Sequence, residues 1–142
     1  MSGRLHGNRV LIVDDERIIA DTLALILAQR GIETRVAYSA EDALELLSQW
    51  EPELAILDVC LPKMNGIDLA VAIKAIYPRC GFLILSGNPA TFLVAEKAAE
   101  MGHPFEVWAK PTHPNEILAE VGALLSQGRG VIGSDGLSML TD

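Results

Sequence analysis

A chain of 142 residues, of which 50% are hydrophobic and 21% charged, is long enough for one domain with a packed core and too short for two domains of ordinary size. Its 11 basic and 19 acidic residues give a net charge of -8, and the absence of a Lys/Arg cluster disfavours direct binding to nucleic acid. Met1–Asn8 does not resemble a signal peptide, and charges interrupt every apolar stretch, so we predict a soluble, cytoplasmic protein without membrane insertion.

Short apolar runs rich in β-branched residues alternate along the chain with segments of helical periodicity. The runs predict five strands, at Arg9–Val13, Thr34–Tyr38, Leu54–Leu57, Phe82–Leu85 and Phe105–Trp108. The periodic segments predict five helices, at Glu16–Arg30, Ala40–Trp50, Ile67–Tyr77, Ala90–Met101 and Asn115–Gln127.

The first predicted helix carries one apolar stripe, which we expect to face the core. The stripe consists of Ile18, Ile19, Leu23, Ile26 and Leu27. Gly31 follows this helix, at a position where glycine commonly ends a helix.

The alternation predicts an α/β fold with a doubly wound parallel sheet, because a helical crossover returns the chain in the same direction. VLIV, LAIL and FLIL are continuously apolar, as expected for strands that are buried on both faces. In such a sheet the ligand site lies at the carboxyl ends of the strands. The pattern ends at Gln127, so we predict one domain over residues 1–127 and a flexible, glycine-rich tail over residues 128–142.

Residues that can bind a phosphate or a metal ion follow four of the five predicted strands. Asp14 and Asp15 follow the first strand, Asp58 the third, Ser86 the fourth and Lys110 the fifth. Three carboxylates at one sheet edge repel one another unless a cation compensates, and oxygen ligands suit Mg²⁺ or Mn²⁺ better than Zn²⁺. One of these carboxylates could then accept a phosphoryl group, whose oxygens would contact Lys110 and Ser86.

Each of these residues taken alone also has a purely structural explanation. Asp14 or Asp15 suits the N-cap of the next helix. Asp58 with LPKMNG suits an ordinary turn, and SGNP after the fourth strand is a common loop composition. Their joint occurrence at the ends of separate strands is what favours a functional site.

The segments VLIVDDE, AILDVCLPKMNGIDL, ILSG and WAKP resemble the signature segments of the bacterial response-regulator receiver family. The resemblance extends over roughly Asn8 to Gln127, and DVCLPKMNG is its most specific part. It implies a flavodoxin-like fold, in which five parallel strands in the order 2-1-3-4-5 are covered by five helices.

The resemblance also implies a role for each residue at the predicted site. Asp58 matches the phospho-acceptor, and Asp14 and Asp15 match the acid pair that holds Mg²⁺ directly or through water. Cys60 occupies the position whose backbone carbonyl completes the metal site.

The two remaining site residues match the family's contacts to the phosphoryl group. Ser86 matches the hydroxyl that moves toward this group, and Lys110 matches the lysine that pairs with it. The implied phosphoryl donor is a sensor histidine kinase or a histidine phosphotransfer protein. The implied protein signals through contacts with other proteins and is not a conventional enzyme, because it catalyses only its own phosphorylation and dephosphorylation.

Val107 departs from the family pattern, because the family often has Tyr or Phe at this position. Period-2 alternation should place Trp108 on the opposite face of the strand. We expect a stand-alone switch protein, and the alternative is a pseudo-receiver that acts as a constitutive interaction module. A flavodoxin-like electron carrier or phosphatase ranks below both, since DDERI lacks the composition that cradles a flavin phosphate.

Overall fold

The structure is a computed structural model that describes residues 8–110 and 113–129. The tail was predicted over residues 128–142, but residues 128 and 129 still belong to the last helix, and residues 130–142 lie outside the described residues. Five parallel strands form one sheet in the order β2-β1-β3-β4-β5, which confirms the predicted fold. The strands are β1 (Arg9–Val13), β2 (Glu33–Ala37), β3 (Leu54–Asp58), β4 (Gly81–Ser86) and β5 (Glu106–Ala109).

A helix follows each strand, as the alternation predicts. The helices are α1 (Arg17–Ala28), α2 (Ala40–Leu46), α3 (Gly66–Ile76), α4 (Thr91–Glu100) and α5 (Pro114–Arg129). Prediction extended α2 to Trp50, but this buried side chain lies beyond the helix and its indole N–H donates a hydrogen bond to Glu33 on β2. None of the described helices is long and apolar enough to cross a membrane.

The core has two layers, one on each face of the sheet. One layer contains buried residues of α2 and α3, and the other contains buried residues of α1 and α5. Val107 packs against the first layer and Trp108 against the second, which confirms the predicted alternation along β5. The central strands β1, β3 and β4 are almost wholly buried, as their continuous apolar sequences predict.

The predicted stripe of α1 is only partly correct. Leu23 and Leu27 are buried, together with Ala20. Ile18 and Ile19, however, are 82% and 42% exposed. The buried face of α1 carries Ala20, Leu23 and Leu27, and with 3.6 residues per turn Ile18 lies on nearly the opposite face of the helix and Ile19 beside the buried face. These two isoleucines therefore form an exposed apolar surface beside the carboxyl end of the sheet.

Candidate functional site

The carboxyl ends of four strands bring the predicted site residues to one edge of the sheet. Asp58 is the last residue of β3 and Ser86 the last of β4, while Asp14 and Lys110 directly follow β1 and β5. The hydrogen bonding between β4 and β5 continues past the end of β5, where the Lys110 N–H donates to the Ser86 carbonyl at 2.7 Å. The sheet therefore fixes the backbone positions of these residues.

The Lys110 ammonium lies between two buried carboxylates. Its Nζ is 3.1 Å from Oδ2 of Asp14 and 3.3 Å from Oδ1 of Asp58. Oε1 of the exposed Glu16 lies 3.4 Å from the same nitrogen. Burying a carboxylate is costly unless it is paired, so Lys110 offsets part of the negative charge.

Asp14, Asp15 and Asp58 form a cluster in which one carboxylate oxygen of each lies within 4.8 Å of the others. Oxygen ligands bind Mg²⁺ at about 2.1 Å, so ligands on opposite sides of the ion are roughly 4.2 Å apart. The spacing therefore suits carboxylates that bind the ion directly or through water. One ammonium cannot neutralise three carboxylates, and these residues fit Mg²⁺ or Mn²⁺.

The two charged partners at the centre of the site both have shifted pKa values. Burial raises the pKa of Asp58, because leaving water disfavours the charged form; the Lys110 charge opposes this rise and the Asp14 charge adds to it. Burial alone would lower the pKa of Lys110, but the hydrogen bond to Asp14 and the charge of Asp58 outweigh it, so this pKa is raised. An ionised Asp58 is thus electrostatically unfavourable in the folded protein.

Replacing Asp58 with asparagine should stabilise the fold at neutral pH when no divalent cation is present. The pKa of the Asp58 carboxyl group is higher in the folded than in the unfolded protein. The contribution of this group to the free energy of unfolding is therefore fully present below its unfolded pKa of about 4, and it is lost as the pH rises through its folded pKa. Urea unfolding of the wild type and Asp58→Asn should therefore give free energies of unfolding that diverge as the pH rises above about 4.

Adding Mg²⁺ should reduce or reverse this advantage, because the ion stabilises the folded wild type by binding and Asp58→Asn has lost one carboxylate. NaCl at matched ionic strength controls for general screening. A variant that is less stable than the wild type at pH 7 without Mg²⁺ would contradict the expectation.

The loop after β3 is held close to Asp58. The backbone of Cys60 donates a hydrogen bond to the Asp58 carboxylate, which lowers the pKa of Asp58. The side chain of Cys60 is exposed. A Cβ atom at Gly66 would lie 2.3 Å from the Asp58 carbonyl oxygen, so only glycine fits here without movement of the backbone. The predicted role of the Cys60 carbonyl as a metal ligand stays a prediction.

The Ser86 hydroxyl is directed toward α4. Its Oγ lies 2.6 Å from Oγ1 of Thr91 and 3.1 Å from the carbonyl oxygen of Asn88, and it accepts a hydrogen bond from the Asn88 N–H at 3.0 Å. Ser86 is thus at the predicted strand end, but its hydroxyl is bonded to residues that follow β4.

Sequence reasoning missed two residues of this region as contacts of the site, Glu16 and Thr91, whereas Gly66 belongs to the segment DVCLPKMNG that carries the resemblance. Glu16 follows the acid pair directly, so its position in DDE was a signal, whereas nothing in the sequence indicated that Thr91 would contact Ser86.

The N-cap of α1 is Glu16, so neither Asp14 nor Asp15 caps this helix. Oδ1 of Asp14 does accept a hydrogen bond from the Glu16 N–H at 2.9 Å. Asp14 therefore makes a local backbone contact as well as its contact with Lys110.

Residues 10–122 match the family described as the response regulator receiver domain, and the chain belongs to this family. It is similar to the DNA-binding transcriptional regulator NtrC of Azospirillum brasilense, with 34% identity over 117 residues, which are 82% of this chain and 24% of that protein. It is also similar to the DNA-binding response regulator MtrA of Mycolicibacterium smegmatis, with 33% identity over 82% of this chain and 50% of that protein. The chain therefore spans a quarter to a half of the length of these curated relatives.

A solved structure supports the same assignment. The CheY-like receiver domain protein from Methanospirillum hungatei is 26% identical, has a TM-score of 0.78, and is matched over 85% of this chain and 95% of that chain. Receiver domains bind Mg²⁺ at a cluster of acidic residues and are phosphorylated by histidine kinases. The acidic cluster of this chain lies at the carboxyl edge of its sheet.

Proposed function

We propose that this chain is a phosphorylation switch in which Asp58 accepts a phosphoryl group in a reaction that depends on Mg²⁺ or Mn²⁺. The observation that carries the proposal is the position of Lys110, whose ammonium is within 3.3 Å of Asp58 and beside the three clustered carboxylates. This arrangement pairs a nucleophile with a fixed cation for the incoming phosphoryl oxygens. Catalysis of phosphoryl transfer consists mainly of such positioning and charge neutralisation.

In the proposed reaction an oxygen of Asp58 forms a bond to phosphorus while the bond from phosphorus to the donor's leaving group breaks. With a phosphohistidine donor, that bond is P–N and the imidazole leaves. Lys110 holds one phosphoryl oxygen, and the hydroxyl of Ser86 turns toward another. A divalent ion would supply further neutralisation of the phosphoryl charge. Asp14, Asp15 and Asp58 would hold this ion, with the Cys60 carbonyl as a further ligand.

The proposed donor is a sensor histidine kinase or a histidine phosphotransfer protein, which must bring its phosphohistidine to Asp58. An apolar cavity of about 510 Å³ adjoins the site, and Ile18, Ile19 and Ile117 line it together with Lys110. Because Lys110 both lines the cavity and pairs with Asp58, a protein seated there lies next to the acceptor. We therefore assign this surface between α1 and α5 to the donor.

The proposed output is a change in protein contacts, and we propose no conventional enzymatic activity. The stand-alone arrangement, the cytoplasmic location and the lack of direct nucleic-acid contacts stay predictions, and the named relatives are DNA-binding regulators of greater length. The pseudo-receiver remains the second candidate. The valine at position 107 favours it, whereas the paired Lys110 and Asp58 favour the switch.

Intact-mass spectrometry after incubation with Mg²⁺ and acetyl phosphate tests the proposal. We expect the mass of one phosphoryl group to be added to the wild type, no addition with EDTA, and no addition to Asp58→Ala. Asp68→Ala, in which an exposed carboxylate of α3 is removed, should be modified like the wild type. A folded wild type without any adduct would instead support the pseudo-receiver.

A further inference from the structure

A pair of buried hydroxyl groups lies between the sheet edge and the start of α4. Ser86 and Thr91 are 1% and 5% exposed, and their hydroxyl oxygens are 2.6 Å apart. Thr91 is the first residue of α4, whose N-cap residue Ala90 provides no side-chain hydrogen bond. The start of α4 therefore makes a buried polar contact with the last residue of β4.

The hydrogen-bonding capacity of the Ser86 hydroxyl is filled in this arrangement. A hydroxyl has one donor and two acceptor positions. Ser86 Oγ accepts from the Asn88 N–H, and its other two positions are occupied by the Asn88 carbonyl and the Thr91 hydroxyl. To contact a phosphoryl group on Asp58, Ser86 must give up hydrogen bonds to the segment that begins α4.

Asn88 links this arrangement further to the helix start. Its side-chain oxygen accepts from the Ala90 N–H at 2.9 Å, and its backbone carbonyl accepts from the Thr91 N–H at 3.0 Å. Rotation of the Ser86 hydroxyl thus removes bonds from both Asn88 and Thr91 in one movement.

We infer that Thr91 is a positioning residue that holds the Ser86 hydroxyl away from Asp58 until a phosphoryl group is present. The inference rests on the proposed function and adds to it a residue, Thr91, that opposes phosphorylation. Loss of the Thr91 hydroxyl removes one partner of Ser86 in the unphosphorylated state and leaves the phosphoryl contacts unchanged. The phosphorylated state is then favoured by the amount that this hydrogen bond contributes.

Calorimetric titration of the full chain with beryllofluoride, used as an analogue of the phosphoryl group on Asp58, tests the inference in the presence of Mg²⁺. Thr91→Val has nearly the same shape without the hydroxyl, and we expect it to bind about fivefold more tightly than the wild type, or about 1 kcal/mol at 1.4 kcal/mol per tenfold. Thr91→Ser retains a hydroxyl and should bind like the wild type. In a Ser86→Ala background, Thr91→Val should change the affinity by less than about twofold, because the coupling needs both hydroxyls.

A merely structural role for Thr91 would lower stability without tightening beryllofluoride binding. The inference is overturned if folded Thr91→Val binds no more tightly than the wild type, or if the tightening persists in Ser86→Ala. Thr91→Ala serves as the second hydroxyl-free variant if Thr91→Val does not fold. A wild type that fails to bind beryllofluoride would contradict the proposed function as well, whereas wild-type binding without a Thr91 effect would contradict this inference alone.

Discussion

Lys110→Met is expected to slow phosphorylation of Asp58 by acetyl phosphate about 100-fold, a loss typical for removal of one fixed group that stabilises charge in the transition state. The same variant should bind Mg²⁺ more tightly than the wild type. In the wild type the ammonium lies within 3.3 Å of both Asp14 and Asp58, so its removal leaves more negative charge for the ion. Slower chemistry together with tighter metal binding separates this role from simple unfolding.

The time course of the phosphoryl adduct by mass spectrometry measures the first effect, and calorimetric titration with Mg²⁺ measures the second. Lys97→Met is the matched control, because Lys97 is exposed on α4. It should behave like the wild type in both measurements. An unchanged rate in folded Lys110→Met would remove Lys110 from the proposed mechanism.

Ile18→Glu is expected to lower phosphotransfer from a donor protein at least tenfold while phosphorylation by acetyl phosphate stays unchanged. Ile18 is 82% exposed and lines the apolar cavity beside Lys110, so a negative charge there disrupts docking without reaching the core. Losses of this size are usual when an apolar anchor of a protein interface is replaced. The small donor does not need the docking surface and reports on the chemistry alone.

The measurement uses purified histidine kinases of the source organism, which phosphorylate themselves with labelled ATP, and histidine phosphotransfer proteins that have received the label from another phosphorylated protein. Ile76→Glu is the control, since Ile76 is a 52% exposed isoleucine on α3, the helix that covers the other face of the sheet. Equal transfer to Ile18→Glu and Ile76→Glu would show that the donor docks elsewhere.

Much of the site was accessible from sequence because a parallel sheet aligns its strand ends. Once β1, β3, β4 and β5 were recognised as apolar runs, the residues after them had to meet at one edge. Asp14, Asp58 and Lys110 are close together for this reason. The prediction did not depend on knowing any side-chain conformation.

Helix ends and exposed surfaces were less accessible, because they depend on where each helix crosses the sheet. The apolar pattern placed Ile18 and Ile19 on the buried stripe of α1, but the face that packs on the sheet carries Ala20, Leu23 and Leu27. In the same way, Trp50 continued the apolar pattern of α2 but packs outside the helix.

The sequence by itself determined the α/β alternation, the buried central strands and the set of residues at the strand ends, because periodicity and strand direction are local properties of the chain. Only the tertiary structure decided which partners these residues contact. The bond between Ser86 and Thr91 and the close approach of Gly66 to Asp58 depend on how loops cross the sheet edge. Such contacts join segments by packing in three dimensions, and the periodicity of the sequence does not reveal them.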